Sequence, residues 1–197
     1  MHQARLDPEL VLERMVNAVE QVRLLMLRAC GCLRSAGVPY AVVGGNAVAA
    51  WVATVDEGAV RNTRDVDVLI RRSDFDAAKR AMETCGFVHR RAAGIDVFLD
   101  GPSSSARQGV HVVFADETVR AGEPVPNPSV DESTDIGPIR VIDLAALVRI
   151  KLTAFRDKDR THVRDLIEVG LIDRTWVDRL PPPLADRLRL ILDSPDG

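Results

Sequence analysis

Apolar residues along this chain follow two periods, and the changes between them mark out its elements. Leu10, Met15, Val22, Leu25, Met26 and Leu33 recur at roughly helical spacing until Gly37 and Pro39 stop the pattern. Ahead of them, Asp7-Pro8-Glu9 supplies a capping carboxylate, a proline suited to a first turn and an acid near the positive helix end. The pattern predicts one long helix over residues 8 to 35, or two with a break. Val38 to Val43 reads as a buried strand, Asn46 to Val55 as a short helix, and Asp65 to Ile70 as a second strand. Ser73 is placed to cap a helix running to Cys85, with Phe75, Ala78 and Met82 on one face and Gly86 closing it. Two further strands fall at Ile95 to Leu99 and Val110 to Phe114, joined by a turn-rich loop over residues 100 to 106.

Beyond residue 120 the pattern changes. Residues 121 to 138 carry prolines at 124, 126, 128 and 138 and read as a linker. Helical patterns follow at Asp143 to Arg156, Arg160 to Val169 and Leu184 to Leu192, with Pro181-Pro182-Pro183 between the last two. The organisation read from this is an N-terminal helix (1–37), a core (38–120), a proline-rich linker (121–138) and a helical C-terminal region (139–197). The fold class is α/β (α+β): a small mixed sheet with flanking helices.

Composition narrows the field. With 197 residues, 46% hydrophobic and 28% charged, the chain has an ordinary globular balance. A net charge of -3 gives no overall attraction to nucleic acid, so any basic surface has to be local. Cys30, Cys32 and Cys85 lack metal-ligand spacing and read as reduced cysteines of a cytoplasmic protein, with Cys30-Gly31-Cys32 as helix packing. The opening residues are not followed by the apolar core of a signal peptide. The longest nearly uncharged run, Ala41 to Val55, is too short to span a bilayer. The expectation is a soluble cytoplasmic protein without a membrane partner.

The chemistry concentrates at Val43-Gly44-Gly45 and, twenty residues on, Arg61-Asn62-Thr63-Arg64-Asp65-Val66-Asp67. Residues two apart in a strand share a face, roughly 6.6 Å apart. Asp65 and Asp67 therefore project together while Val66 and Val68 pack on the other side. Two carboxylates so placed can share Mg²⁺ ions about 4 Å apart, the spacing used for phosphoryl transfer. Left without a cation they repel, and one pKa rises. Gly44-Gly45 removes side chains from a strand-to-helix corner, whose amides can then hold phosphates. Taken singly, Asp-x-Asp also describes solvated edge acids, and Gly-Gly a plain tight turn.

In that order the residues resemble the nucleotidyltransferase superfamily, which includes DNA polymerase beta, kanamycin and lincosamide nucleotidyltransferases and minimal members of toxin–antitoxin systems. The Arg61-x-Thr63-x-Asp65 lead-in looks most like the abortive-infection toxin branch. So does the helical motif Lys151-Leu152-Thr153-Ala154, followed by Arg156, Arg160 and Arg164-Asp165-Leu166. The resemblance covers about residues 38 to 170. It implies Asp65 and Asp67 as metal ligands, and Gly44, Gly45, Arg61, Thr63 and Lys151 around the nucleotide, with Asp165 either orienting Lys151 or exposed. Read from spacing alone, Lys151 interrupts an apolar helical stripe, so its ammonium either snorkels to solvent or meets phosphate.

The chain departs from the family pattern at its third carboxylate. The matching strand reads Val110-His111-Val112, so the residue facing the site is His111; Asp96, Asp116 and Glu117 are the other candidates. Imidazole can act as ligand or base, and nitrogen favours Mn²⁺ over Mg²⁺. His111 also reads as a packed strand histidine. Arg61, Arg64, Arg71 and Arg72 bracket the second strand as phosphate or RNA contacts, or as charged flanks. Trp51 and Trp176 read as core or interface residues, and His162 as a surface helix residue.

The expected activity is transfer of a nucleoside monophosphate from an NTP to a hydroxyl acceptor (tRNA, protein or small molecule) with Mg²⁺ or Mn²⁺. The resemblance adds a toxin–antitoxin setting with a cognate antitoxin as partner. The alternative is a nucleotide-binding or protein-interaction module that keeps the fold and has lost the chemistry.

Overall fold

The structure, a computed structural model, describes residues 8–92, 94–102, 104 and 109–194. Asp7 and most of the loop from 103 to 108 fall outside these residues. The long helix is unbroken: α1 spans Pro8–Ser35. It is followed by β1 (Ala41–Val43), α2 (Gly44–Ala53), β2 (Val66–Ile70), α3 (Phe75–Thr84), β3 (Val88–Ala92), β4 (Ile95–Leu99) and β5 (Val110–Phe114). Then come β6 (Ser133–Ile136), β7 (Ile139–Ile142), α4 (Leu144–Ala154), α5 (Asp157–Glu168) and α6 (Pro182–Asp193).

Seven strands form one mixed sheet in the order β3-β4-β5-β2-β1-β7-β6. β1 is an interior strand, antiparallel to β2 and parallel to β7. β2 runs parallel to β5, and the β3–β4 and β6–β7 hairpins close the two edges. One face of the sheet carries α1 and α3, the other α2 and α4, with α5 packed on α2 and α4. The face under α1 and α3 is dry, with Leu33, Val68, Ala78, Met82, Phe98 and Val112 in contact. At roughly 25 cal/mol per Å² of apolar surface removed from water, this layer and its counterpart under α2 and α4 supply the main drive to fold.

Three strands differ from the sequence reading. β3 carries His89, Arg90 and Arg91 and lacks an apolar alternation; it forms because β4 lies beside it to take its backbone bonds. β6 falls in the last part of the segment read as a linker, and its residues are mostly half-buried or exposed. β7 is apolar but only four residues long, and its place beside β1 comes from a crossover of nearly a hundred residues.

The cysteine reading is corrected. Cys32 on α1 and Cys85, which follows α3, are joined in a disulfide that ties the two helices of one face together. The spacing gave no sign of it, because the helices meet only in the tertiary structure. Cys30 remains a buried thiol, pushed up to about 11 by burial, with the Tyr40 hydroxyl and the Arg34 charge partly opposing that rise. Among the described residues, no helix is long and apolar enough to cross a membrane.

Candidate active site

The sheet register assembles the site. Val43 pairs with Asp67, Asp67 with His111, and His111 with Val97, so one row of side chains crosses four strands on the α2 side. Within it, His111 Nδ1 lies 3.5 Å from Asp67 Oδ1. Along β2, Val66, Val68 and Ile70 are buried toward α1 and α3 while Asp67 is half-buried on the other face. Asp65 stands just before β2, half-buried, and its carbonyl accepts a 2.8 Å hydrogen bond from Asn46 Nδ2 in the first turn of α2. That bond fixes the entry to the strand against the helix that follows the glycines.

The two glycines have separate physical reasons. Gly44 has φ +70°, a left-handed backbone that side chains disfavour. A Cβ there would lie 2.0 Å from Asp67 Oδ2. At Gly45, a Cβ would lie 2.9 Å from Thr63 Oγ1, so Thr63 packs over the second glycine. Val43 offers no side-chain cap to α2, and a helix start is a natural place for phosphate.

The register also sorts the other acids. Asp96 lies beside Val97 and so faces away from His111; it is buried and bonded to His89 Nε2 at 2.8 Å. Asp116 and Glu117 lie beyond the end of β5, past a turn in which Asp116 has a left-handed backbone. Glu117 is held there by Arg72 at 2.5 Å. His111 is thus the titratable side chain that the neighbouring strand sets beside Asp67.

A second cluster closes the site from the α4–α5 side. Lys151, 3% exposed, reaches Asp159 Oδ1 at 3.3 Å, and Asp159 is itself 1% exposed. Arg156 Nε donates to the same carboxylate at 2.6 Å while keeping 47% of its side chain exposed. Phe155 permits this turn by adopting a left-handed backbone at the end of α4. Burial lowers the Lys151 pKa, against the charges of Asp159 and Asp67. Asp159 raises the Arg156 pKa, with Asp67 adding to it. Burial is outweighed at Asp159 by hydrogen bonds and charges of both Arg156 and Lys151, which hold its carboxyl below the ordinary value. The charge of Asp67 therefore acts on both cations.

Two sequence expectations change here. Asp165 does not orient Lys151; it is 6% exposed and accepts from Arg61 Nε at 2.7 Å, which ties the loop before β2 to α5. Asp159 holds Lys151 instead. His162 is half-buried rather than exposed: burial drives its pKa down to about 4, with the Lys151 charge adding to the effect, and among the described residues its Nδ1 has no hydrogen-bond partner. Sequence reading named Arg156 only as part of the motif and missed Asp159, although an acid at the third helical position that accepts from the N-cap amide is a recognisable signal. Trp51 bonds the Ile142 carbonyl at 2.9 Å, in keeping with a packing role. Arg71 pairs with Asp131 and Asp74.

Among the described residues, no group of three or more His, Cys, Asp or Glu side chains is arranged to hold a metal ion. A separate cleft of about 330 Å³ opens beyond the other end of β1, lined by Arg34, Tyr40, Asp131 and Arg140 among others, and shares no residue with the Asp67 row.

No family profile and no curated sequence matches this chain. Its structure is similar to that of an antigenic nucleotidyltransferase-like protein from Paracoccidioides brasiliensis, with TM-score 0.53 and 16% identity over 91% of each chain. It is also similar to a candidate nucleotidyltransferase from H. pylori, with TM-score 0.50 and 16% identity over 90% of this chain and 78% of the other. The chain has the nucleotidyltransferase fold.

Proposed function

We propose that the protein is a nucleotidyltransferase that moves a nucleoside monophosphate from an NTP to a hydroxyl acceptor and releases pyrophosphate. The observation that carries this reading is the contact between Asp67 and Gly44, which sets a carboxylate against a bare helix start. An NTP needs both features: amide donors for its phosphates and carboxylates for the cation that accompanies them.

The donor set fits a hard divalent cation held in part by substrate. Mg²⁺ is commonly bound by one or two carboxylates, with phosphate oxygens and water completing its shell. Asp65 and Asp67 would provide those carboxylates without a three-residue protein cage. Bound there, Mg²⁺ or Mn²⁺ would neutralise charge on the phosphates. Gly44, Gly45 and the first turn of α2 bind the triphosphate. Thr63 and the Arg61–Asp165 pair hold the loop in place. Lys151, enclosed and bonded to Asp159, contributes its charge from beneath, while the exposed side of Arg156 makes the phosphate contact. His111, its Nδ1 beside Asp67, accepts the proton of the attacking hydroxyl.

Pyrophosphate release from each NTP with Mg²⁺ or Mn²⁺ tests the proposal, with Asp67→Asn as control. Equal release by both proteins would sink it. The second reading, a nucleotide-binding module without turnover, draws on His111 standing where relatives carry an acid. Tight NTP binding in calorimetry without pyrophosphate release against pools of tRNA, protein and small-molecule acceptors would favour it. The toxin–antitoxin setting is part of the proposal, tested by co-purification with the product of a neighbouring gene.

A further inference from the structure

The first half of α1 leaves its apolar side chains exposed. In its second half, Ala29 and Leu33 are fully packed and Met26 lies against the core. Followed backward at alternating steps of four and three, the same stripe runs through Val22, Val19, Met15 and Leu12. Leu12, Met15 and Val19 are 62%, 61% and 42% exposed, and neighbouring Val16 is 67% exposed. Steps of three and four are the spacing of a two-stranded coiled coil. A helix propagating into solvent with such a face lacks the tertiary packing that normally supports it.

We propose that this segment pairs antiparallel with the same segment of a second copy, so that the protein is a dimer. The sequence is self-complementary about Asn17. With the two helices crossing there, Leu12 meets the partner's Val22 and Met15 meets the partner's Val19, the a-to-d layers that antiparallel pairing requires. On one flank of the seam, Val16 faces the partner's Val16, and Glu9 faces the partner's Arg23. On the other, Ala18 faces the partner's Ala18. Every opposed pair is thus apolar or of opposite charge. A parallel arrangement sets Arg23 against Ala18 and brings both globular bodies to one end, whereas the antiparallel one sends them to opposite ends. Residues 9 to 24 overlap over roughly 24 Å and bury on the order of 1,000 Å² in total, the size a weak specific interface needs. Arg23 already bonds Glu20 within the helix, and the partner's Glu9 adds a second carboxylate.

Sedimentation equilibrium of the full chain is the test. The expected result is a concentration-dependent dimer that Met15→Asp weakens at least roughly tenfold, with the folded monomer retaining its unfolding midpoint at high dilution. Arg23→Glu weakens it as well, and Glu9→Arg with Arg23→Glu restores it. Val16→Cys cross-links into a symmetric dimer on oxidation faster than Asn17→Cys, which points outward. A chain that stays monomeric at about 100 µM, including one whose helix is instead protected by vesicles or another protein, overturns the proposal. A dimer indifferent to Met15→Asp, or a charge swap that fails to restore association, overturns it equally.

Discussion

The Asp67 carboxylate occupies the space that a side chain on Gly44 would need, with Oδ2 2.0 Å from where that Cβ would stand. A residue at the end of one strand and a residue near the start of its neighbour are therefore mutually exclusive in bulk. The bare backbone corner and the acid beside it are one structural unit, which is why a single substitution on either side is informative.

Gly44→Ala is expected to suffer twice, from a left-handed backbone and from collision with Asp67. The cost is about 1–3 kcal/mol in stability, and NTP binding falls away because the carboxylate has to rotate off the corner. Thermal unfolding read beside nucleotide calorimetry checks this. The atoms nearest a Cβ on Gly45 belong to Thr63, Oγ1 first, so Gly45→Ala with Thr63→Ala recovers more binding than any partner change does for Gly44→Ala.

Asp67→Asn is expected to lower pyrophosphate release by about 10²-fold or more while leaving the fold intact. His111→Asp places a third carboxylate on the row that crosses β2 and β5, and is expected to raise release in Mg²⁺ relative to Mn²⁺. A fall under both ions would assign the imbalance to the imidazole itself, acting as base.

Removing one member of a buried ion pair strands the other. Asp159→Ala leaves Lys151 charged and enclosed and Arg156 without its anchor, with an expected cost of about 3–5 kcal/mol. Asp159→Ala combined with Lys151→Met recovers a large part of that loss. Urea midpoints of the four proteins in the cycle measure the coupling.

His162 gives the stability a pH dependence in mild acid. Its folded pKa is about 4 against 6.5 unfolded, so between those values the unfolded chain binds the extra proton. Stability is fully present above pH 6.5 and declines as pH falls toward 4, by at most about 3 kcal/mol. Asp159, whose lowered pKa starts from 3.8, acts only below that window. His162→Gln is expected to flatten the urea midpoint between pH 6.5 and 4.5.

Reduction of Cys32–Cys85 opens a loop with a sequence separation of 53 and is expected to lower stability by about 2–4 kcal/mol. Cys32→Ser, Cys85→Ser and the double variant lose equal amounts. A thermal melt with and without reductant reads the effect directly.

Much of the fold and part of the site could be read from local pattern. α1, α3, β4 and β5 followed from periodicity because each buries one continuous face of its own residues, although α3 starts from Asp74 without a side-chain cap rather than from Ser73. Gly44, Gly45, Asp65 and Asp67 stood out because their spacing is chemistry written within one stretch of chain. The neighbours of those residues were not legible. β3 and β6 exist because another strand stands beside them to take their backbone bonds. Asp159, rather than Asp165, holds Lys151 because the turn at Phe155 brings α5 back on α4. Cys32 reaches Cys85 because α1 and α3 share a sheet face. The sequence alone determined the helices and the strands that bury a face of their own, and where the glycine corner and the paired aspartates lie. Only the tertiary structure decided which side chains meet, since register, crossover and helix packing set those distances and no local period encodes them.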